Sequence, residues 1–246
     1  MNRNRIFLSL AIFSFLAFLP LHAMEDMRKK DNYFKINGME HRLSLTVGGN
    51  SGEGFETYTI MAQPKYQLDM THLQAYIGMQ LDKGSYDCTI GATGWFVPTK
   101  KLRVGVEGIY HFNQYDDVST VNDILANLRL ETRPTYWFGF QAGFGYMYKS
   151  RKVFRLDNRI RSNDPTAFVE MDFYLPCNFT VYARAASYEL YRYPIFCAPS
   201  FTAGVKFEPT KRLFFGFEAS ARYVDFFTIS TYHDSNEYRV TIGVRL

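Results

Sequence analysis

Apolar and polar residues alternate with a period of two along most of the chain after residue 41. In the last nine residues, Tyr238, Val240, Ile242, Val244 and Leu246 oppose Arg239, Thr241, Gly243 and Arg245. In Lys101–Asn113, Leu102, Val104, Val106, Gly108, Tyr110 and Phe112 oppose Arg103, Gly105, Glu107 and His111. The same parity runs through Leu73–Leu81, Ile124–Leu130, Thr135–Tyr148, Phe179–Ala185, Phe201–Phe207 and Arg212–Tyr223. A period of two places one set on each face of a strand. Most segments are about ten residues or longer, enough for a tilted strand to cross a bilayer.

The breaks between segments alternate in kind. Short ones contain Pro98, Pro134, Pro176 and Pro209, and proline suits a tight turn because its φ is fixed and it lacks an N–H. Longer ones fall at Asn50–Gly54, Asp82–Ser85, Tyr115–Thr120, Lys149–Asp164, Tyr193–Ala198 and Thr228–Ser235. Six hairpins give twelve antiparallel strands, with ten as the alternative because His41–Gln67 is the least regular part. Aromatics gather at both strand ends: Trp95, Phe96, Tyr136, Trp137, Tyr174, Phe207, Phe214 and Phe215 near the proline turns, and Tyr110, Phe112, Tyr146, Tyr148, Tyr188, Tyr191, Phe226 and Phe227 near the longer loops. Two aromatic girdles around an apolar band suit two lipid–water boundaries. A soluble β-sandwich also alternates, but gives no reason to segregate aromatics to both ends.

These features predict an all-β fold, an antiparallel transmembrane β-barrel over residues 41–246. The chain resembles bacterial outer-membrane β-barrel proteins, and its terminal strand resembles the one that closes such barrels, with Leu246 where Phe or Trp usually stands. The resemblance implies a bacterial outer-membrane location, contact with outer-membrane lipids and lipopolysaccharide, and recognition of the last strand by the barrel-assembly machinery.

The start of the chain fits export. Arg3 and Arg5 precede an apolar run, Ile6 to Leu19, followed by Pro20-Leu21-His22-Ala23. This predicts a signal peptide over residues 1–23, too short for a spanning helix. Residues 24–40 are charged and aperiodic, and are expected to form a flexible periplasmic lead-in. The formal net charge is +4; without Arg3 and Arg5 it is +2, which gives no case for nucleic acid. Cys88, Cys177 and Cys197 form no metal spacing, and their odd number precludes pairing all three. No cofactor or metal site is expected.

Alternation also assigns the interior. Arg42, Arg103, Arg129, Arg184, Lys206, Arg222, Arg239 and Arg245 share the polar face with Glu107, Glu131, Glu170, Asp172, Glu208, Glu218 and Glu237. A set so nearly balanced can pair across strands, whereas a strongly selective pore is lined with one sign. The expected function is a small passive channel, or a structural or surface protein, with a narrow charge-balanced lumen. Two alternatives concern other residues. Lys149, Arg151, Lys152, Arg155, Arg159 and Arg161 make Lys149–Asp164 basic, suited to anionic ligands in the manner of an adhesin. His233, Ser235 and Glu237 share one parity and carry the base, nucleophile and orienting groups of acyl transfer. The run His233-x-Ser235-Asn236 is similar to the His-x-Ser-Asn of outer-membrane lipid A 3-O-deacylases, and outer-membrane phospholipase A also uses His-x-Ser with Asn. That likeness implies a lipid acyl hydrolase, although Glu237 follows more closely than the deacylase pattern requires.

Overall fold

The computed structural model describes residues 32–52, 55–82, 85–115, 118–154, 158–188, 199–223 and 233–246; the expected signal peptide lies outside them. Twelve strands follow in order: β1 Glu40–Gly52, β2 Phe55–Asp69, β3 Leu73–Asp82, β4 Ser85–Thr99, β5 Leu102–Tyr115, β6 Ser119–Thr132, β7 Phe138–Val153, β8 Asn158–Leu175, β9 Phe179–Ala186, β10 Ser200–Phe207, β11 Leu213–Tyr223 and β12 His233–Arg245. Each pairs antiparallel with its chain neighbours, and β1 pairs with β12, so the sheet closes with no free edge. Closure satisfies the backbone polar groups within the sheet, which a bilayer core demands. The closing register sets Arg42 opposite Arg245 and Val47 opposite Val240.

Alternation becomes two different surfaces. Along β5, Val104, Val106, Gly108 and Tyr110 are exposed, whereas Gly105, Glu107, Ile109 and His111 are buried. The outward set continues on neighbouring strands with Ile124, Leu128, Phe144, Val169 and Phe217. The barrel therefore has an apolar exterior and a mostly polar interior, the reverse of a soluble protein.

Three expectations change. Trp95, Tyr174 and Phe214 do not join the outer girdles. They have the inward parity, Trp95 is 5% exposed, and their outward neighbours Phe96, Phe173 and Phe215 take the exterior positions. Tyr188 is likewise buried, bonded to Asn127, while Tyr191, Phe226 and Phe227 lie outside the described residues. Second, the stretch Lys149–Asp164 is not one long loop: β7 reaches Val153 and β8 begins at Asn158, paired in regular register. Polar residues continue the sheet there because a strand beyond the lipid needs no apolar side.

Third, residues 32–39 are held against the short-turn end of the barrel. The Tyr33 N–H donates to the Lys100 carbonyl and the Ile36 N–H to Thr71 Oγ1. Tyr33 receives the Arg133 guanidinium on its ring, and Phe34, 6% exposed, lies under Arg103. This segment was expected to be loose because aperiodic sequence carries no strand signal; its contacts are single anchors on three separate turns. Pro64 sits within β2, where the β2–β3 pairing skips from Ala62 to Lys65, consistent with its missing N–H.

Candidate functional site

The barrel interior is the site, and one side of it is filled. Ile109, Leu125, Met147, Phe168, Ala186 and Tyr188 form an apolar cluster inside the wall, with Tyr76 packed against it. Leu125 and Met147 are fully buried. Large rings fit because glycines on adjacent strands leave room. A Cβ on Gly143 would stand 2.2 Å from the Phe168 ring, and one on Gly91 would stand 2.4 Å from Tyr76. Each ring lies across its neighbouring strand and extends the packing into the lumen.

Above this cluster, toward the longer loops, His111 sits between two aspartates, with Nε2 2.8 Å from Asp87 and Nδ1 3.0 Å from Asp123. All three are at most 2% exposed. His111 looked isolated in the sequence because its partners are 24 and 12 residues away and only the β4–β5–β6 register joins them. Lys149, expected on a loop, is 4% exposed and stands opposite Asp123 in the β6–β7 pairing. Arg151 shares its inward parity.

The expected lumen residues assemble into ion pairs and networks. Arg129 reaches Glu107 at 2.7 Å and donates to Gln141, whose amide donates to Glu170 and Asp172. Arg184 lies 3.9 Å from Glu170 and stacks on Phe168. Arg103 bonds Glu131 and covers Trp95 at 4.1 Å. Nearer the short turns, Arg42 meets Asp69 at 2.9 Å, and Arg245 pairs with Glu208. On the opposite wall, Arg239 bridges Glu218 at 3.0 Å and Glu237 at 2.8 Å, and Arg222 pairs with Glu237. Tyr182 donates to the other Glu218 oxygen. Burying these charges is tolerable because most gain an oppositely charged, hydrogen-bonded partner, with Arg184 and Glu170 in a looser contact and Asp172 held by the Gln141 amide.

Two interior cations differ. Lys206 lies 4.4 Å from the centre of the Tyr182 ring and Lys65 4.1 Å from that of Tyr76. Neither has a carboxylate within ion-pair distance among the described residues. Lys65, on β2, lies within electrostatic range of Asp69 and of Lys206 on β10, and Lys206 lies within range of Glu170. Lys206 is solvent-exposed, and Arg42, Arg184 and Glu218 retain about a third of their side-chain exposure. Water therefore reaches the interior beside β1 and β9–β11, whereas Arg222 and Glu237, nearer the longer loops on β11 and β12, are closed to it.

Of the residues considered for acyl transfer, the side chains of Ser235 and Glu237 are described. Glu237 is 1% exposed, and both its oxygens accept from Arg239 or Arg222. Its carboxylate is thus committed to guanidiniums. Ser235 is fully buried on the same inward face. The His233 side chain and all of Arg155 lie outside the described residues. Lys152, Arg159 and Arg161 are on the outward face of β7 and β8, away from the lumen and from Lys149 and Arg151. Cys88 and Cys177 are free thiols.

No protein-family model matches the sequence, and no curated protein matches it. Among solved structures, the NanC porin aligns at 14% identity over 83% of this chain and all of its own length, with a TM-score of 0.61. The KdgM porin in complex with disordered oligogalacturonate aligns at 8% identity over 82% of this chain and 98% of its own, with a TM-score of 0.56. The chain has the closed twelve-strand antiparallel barrel fold of bacterial outer-membrane porins.

Proposed function

We propose that this protein is a narrow passive channel of the bacterial outer membrane, passing small hydrophilic solutes with a mild preference for anions. The observation that carries this reading is the lopsided interior. The β4–β8 side is packed by Leu125, Met147, Phe168 and the Asp87–His111–Asp123 group, while Arg184 on β9, Lys206 on β10 and Glu218 on β11 keep water-accessible charge. A passage confined to one side is narrower than a twelve-strand barrel allows. Most charges along it are neutralised in pairs, so they hydrate the path without imposing one sign. Lys65 and Lys206 have no close ion pair among the described residues, and the mild anion preference is assigned to them.

The likeness to the NanC and KdgM porins supports channel function at the level of fold. An oligogalacturonate such as the one named with KdgM would find few cations without an ion pair among the described residues, so the solutes proposed are small. The test is planar-bilayer recording of the purified protein under a salt gradient. Small steps with a reversal potential modestly displaced toward the anion value are expected. Absence of steps, or large steps of strong selectivity, would overturn the proposal.

A further inference from the structure

Residues 32–39 are laid across the short-turn mouth by local geometry at both ends. Next to β1, Gly38 has a φ of +87° with open space around it. The left-handed backbone there is set by the path of the chain rather than by crowding, and it turns the chain from the line of β1 back over the neighbouring turns. At the far end, Asn32 Oδ1 accepts from the Phe34 N–H at 3.0 Å. A turn of this kind fixes local direction, and Phe34 goes inward and is buried while Lys35 stays exposed. Between the two ends, Thr71 clasps Ile36: its Oγ1 accepts from the Ile36 N–H and donates to the Ile36 carbonyl, both at 3.0 Å. The segment thus meets the β2–β3 turn at Thr71, the β4–β5 turn at Lys100 and the β6–β7 turn at Arg133.

What the segment covers belongs to the interior. Arg103 lies against two rings, Phe34 at 4.9 Å and Trp95 at 4.1 Å, while its Nε and Nη2 donate to Glu131. Trp95 is 5% exposed, and its Nε1 has no hydrogen-bond partner among the described residues. A buried N–H without an acceptor carries a cost that contact with water removes. The attachments on the other side of the balance are few. Residues 32–39 join no strand ladder, so their hold is the Thr71 clasp, the Tyr33–Lys100 backbone bond and the two rings against guanidiniums. Segments held this way are the ones that open without unfolding the rest.

We propose that residues 32–38 are a hinged strap that pivots at Gly38. Seated, it covers Arg103 and Trp95 and narrows the short-turn mouth; lifted, it widens the mouth and lets water reach both. Arg103 keeps Glu131 in either position, so lifting changes the width of the mouth and leaves its charge balance as it was. The effect on conductance rests on the channel reading of the barrel, whereas the uncovering of Trp95 does not.

Two measurements on the full barrel test this. The chain has two tryptophans, Trp95 and Trp137, so in a Trp137→Phe background acrylamide quenching in detergent micelles reads access to Trp95 alone. The variant Tyr33→Ser, Phe34→Ser should raise quenching several-fold. Gly38→Val strains only the left-handed turn and should raise it by less, while Gly38→Asn, a residue that tolerates such backbone, should stay near wild type. In planar bilayers, Tyr33→Ser, Phe34→Ser should give larger steps with fewer brief closures and an unchanged reversal potential. Unchanged quenching in the double variant, shown to be folded by its gel mobility, would overturn the proposal. Raised quenching with unchanged or smaller steps would also overturn it, because the strap would then stand clear of the path. Absence of steps in wild type and variant alike would defeat the channel reading instead, and raised quenching would still support the pivoting strap.

Discussion

Glu237 is the most exacting single test of the interior. It is 1% exposed and accepts from both Arg222 and Arg239. Replacing Glu237 with Gln keeps the shape and removes the charge. Arg239 retains Glu218 at 3.0 Å, but Arg222, with its side chain 4% exposed, loses this one of its partners. Removing one partner of a buried pair costs about 3–5 kcal/mol because the other charge stays buried. The lower end applies here, since Arg239 is still paired and the interior admits water nearby. With a urea slope of about 2 kcal/mol per molar, a loss of about 3 kcal/mol moves the unfolding midpoint down by roughly 1.5 M. The assay is urea unfolding of the refolded barrel in detergent micelles, followed by tryptophan fluorescence and gel mobility. The double variant Glu237→Leu, Arg222→Leu removes both charges and should recover much of the loss. Two results would refute the reasoning: a single variant within about 0.5 kcal/mol of wild type, or a double variant less stable than the single, since additivity would then show no coupling. In bilayers, Glu237→Gln should also shift the reversal potential further toward anions, because one interior negative charge is gone.

Other expectations follow from the same geometry. The variant Lys65→Gln, Lys206→Gln should abolish the anion preference while leaving step size nearly unchanged, as read from reversal potentials. Phe34→Ala should enlarge the conductance step, because Phe34 is buried beneath Arg103 at the short-turn mouth; unchanged steps would show that residues 32–39 stand clear of the path. Gly143→Val should lower the urea midpoint by an amount equivalent to about 1–3 kcal/mol through overpacking against Phe168, and adding Phe168→Ala should return part of it. His111→Leu should destabilise the barrel by leaving Asp87 and Asp123 buried and facing each other, and Asp87→Asn together with Asp123→Asn should relieve this, measured by the same unfolding assay.

Alternation by itself determined the barrel. A strand's two faces are set by local parity, so Val104, Val106, Leu128 and Val240 could be assigned outward and Arg103, Glu107, Arg129 and Arg239 to the polar face without knowing any partner. The alternating short proline breaks and longer loops gave the strand number, and an even count returns Tyr238–Leu246 to the side of the membrane where the first strand begins, so that the two can pair. Composition alone could not sort the aromatics. Trp95 and Phe96 are adjacent and equally apolar, and only parity referred to the completed sheet sends Phe96 to the exterior and Trp95 inward. The same reference divided the basic run, placing Lys149 and Arg151 inside and Lys152, Arg159 and Arg161 outside.

Register was decided by the tertiary structure alone. Asp87, His111 and Asp123 lie on three strands, and nothing local says they are level. Glu237 stood near His233 and Ser235 in sequence, yet its partners came from Arg222 on the adjacent strand and Arg239 two residues on. The filled side of the lumen has the same origin. Phe168 and Tyr76 can cross their neighbours only because Gly143 and Gly91 are opposite them, a coincidence of pairing. Sequence fixes which way a side chain faces, because that depends on one dihedral repeat. Which side chains it meets depends on the shear of the closed sheet, a property of all twelve strands together.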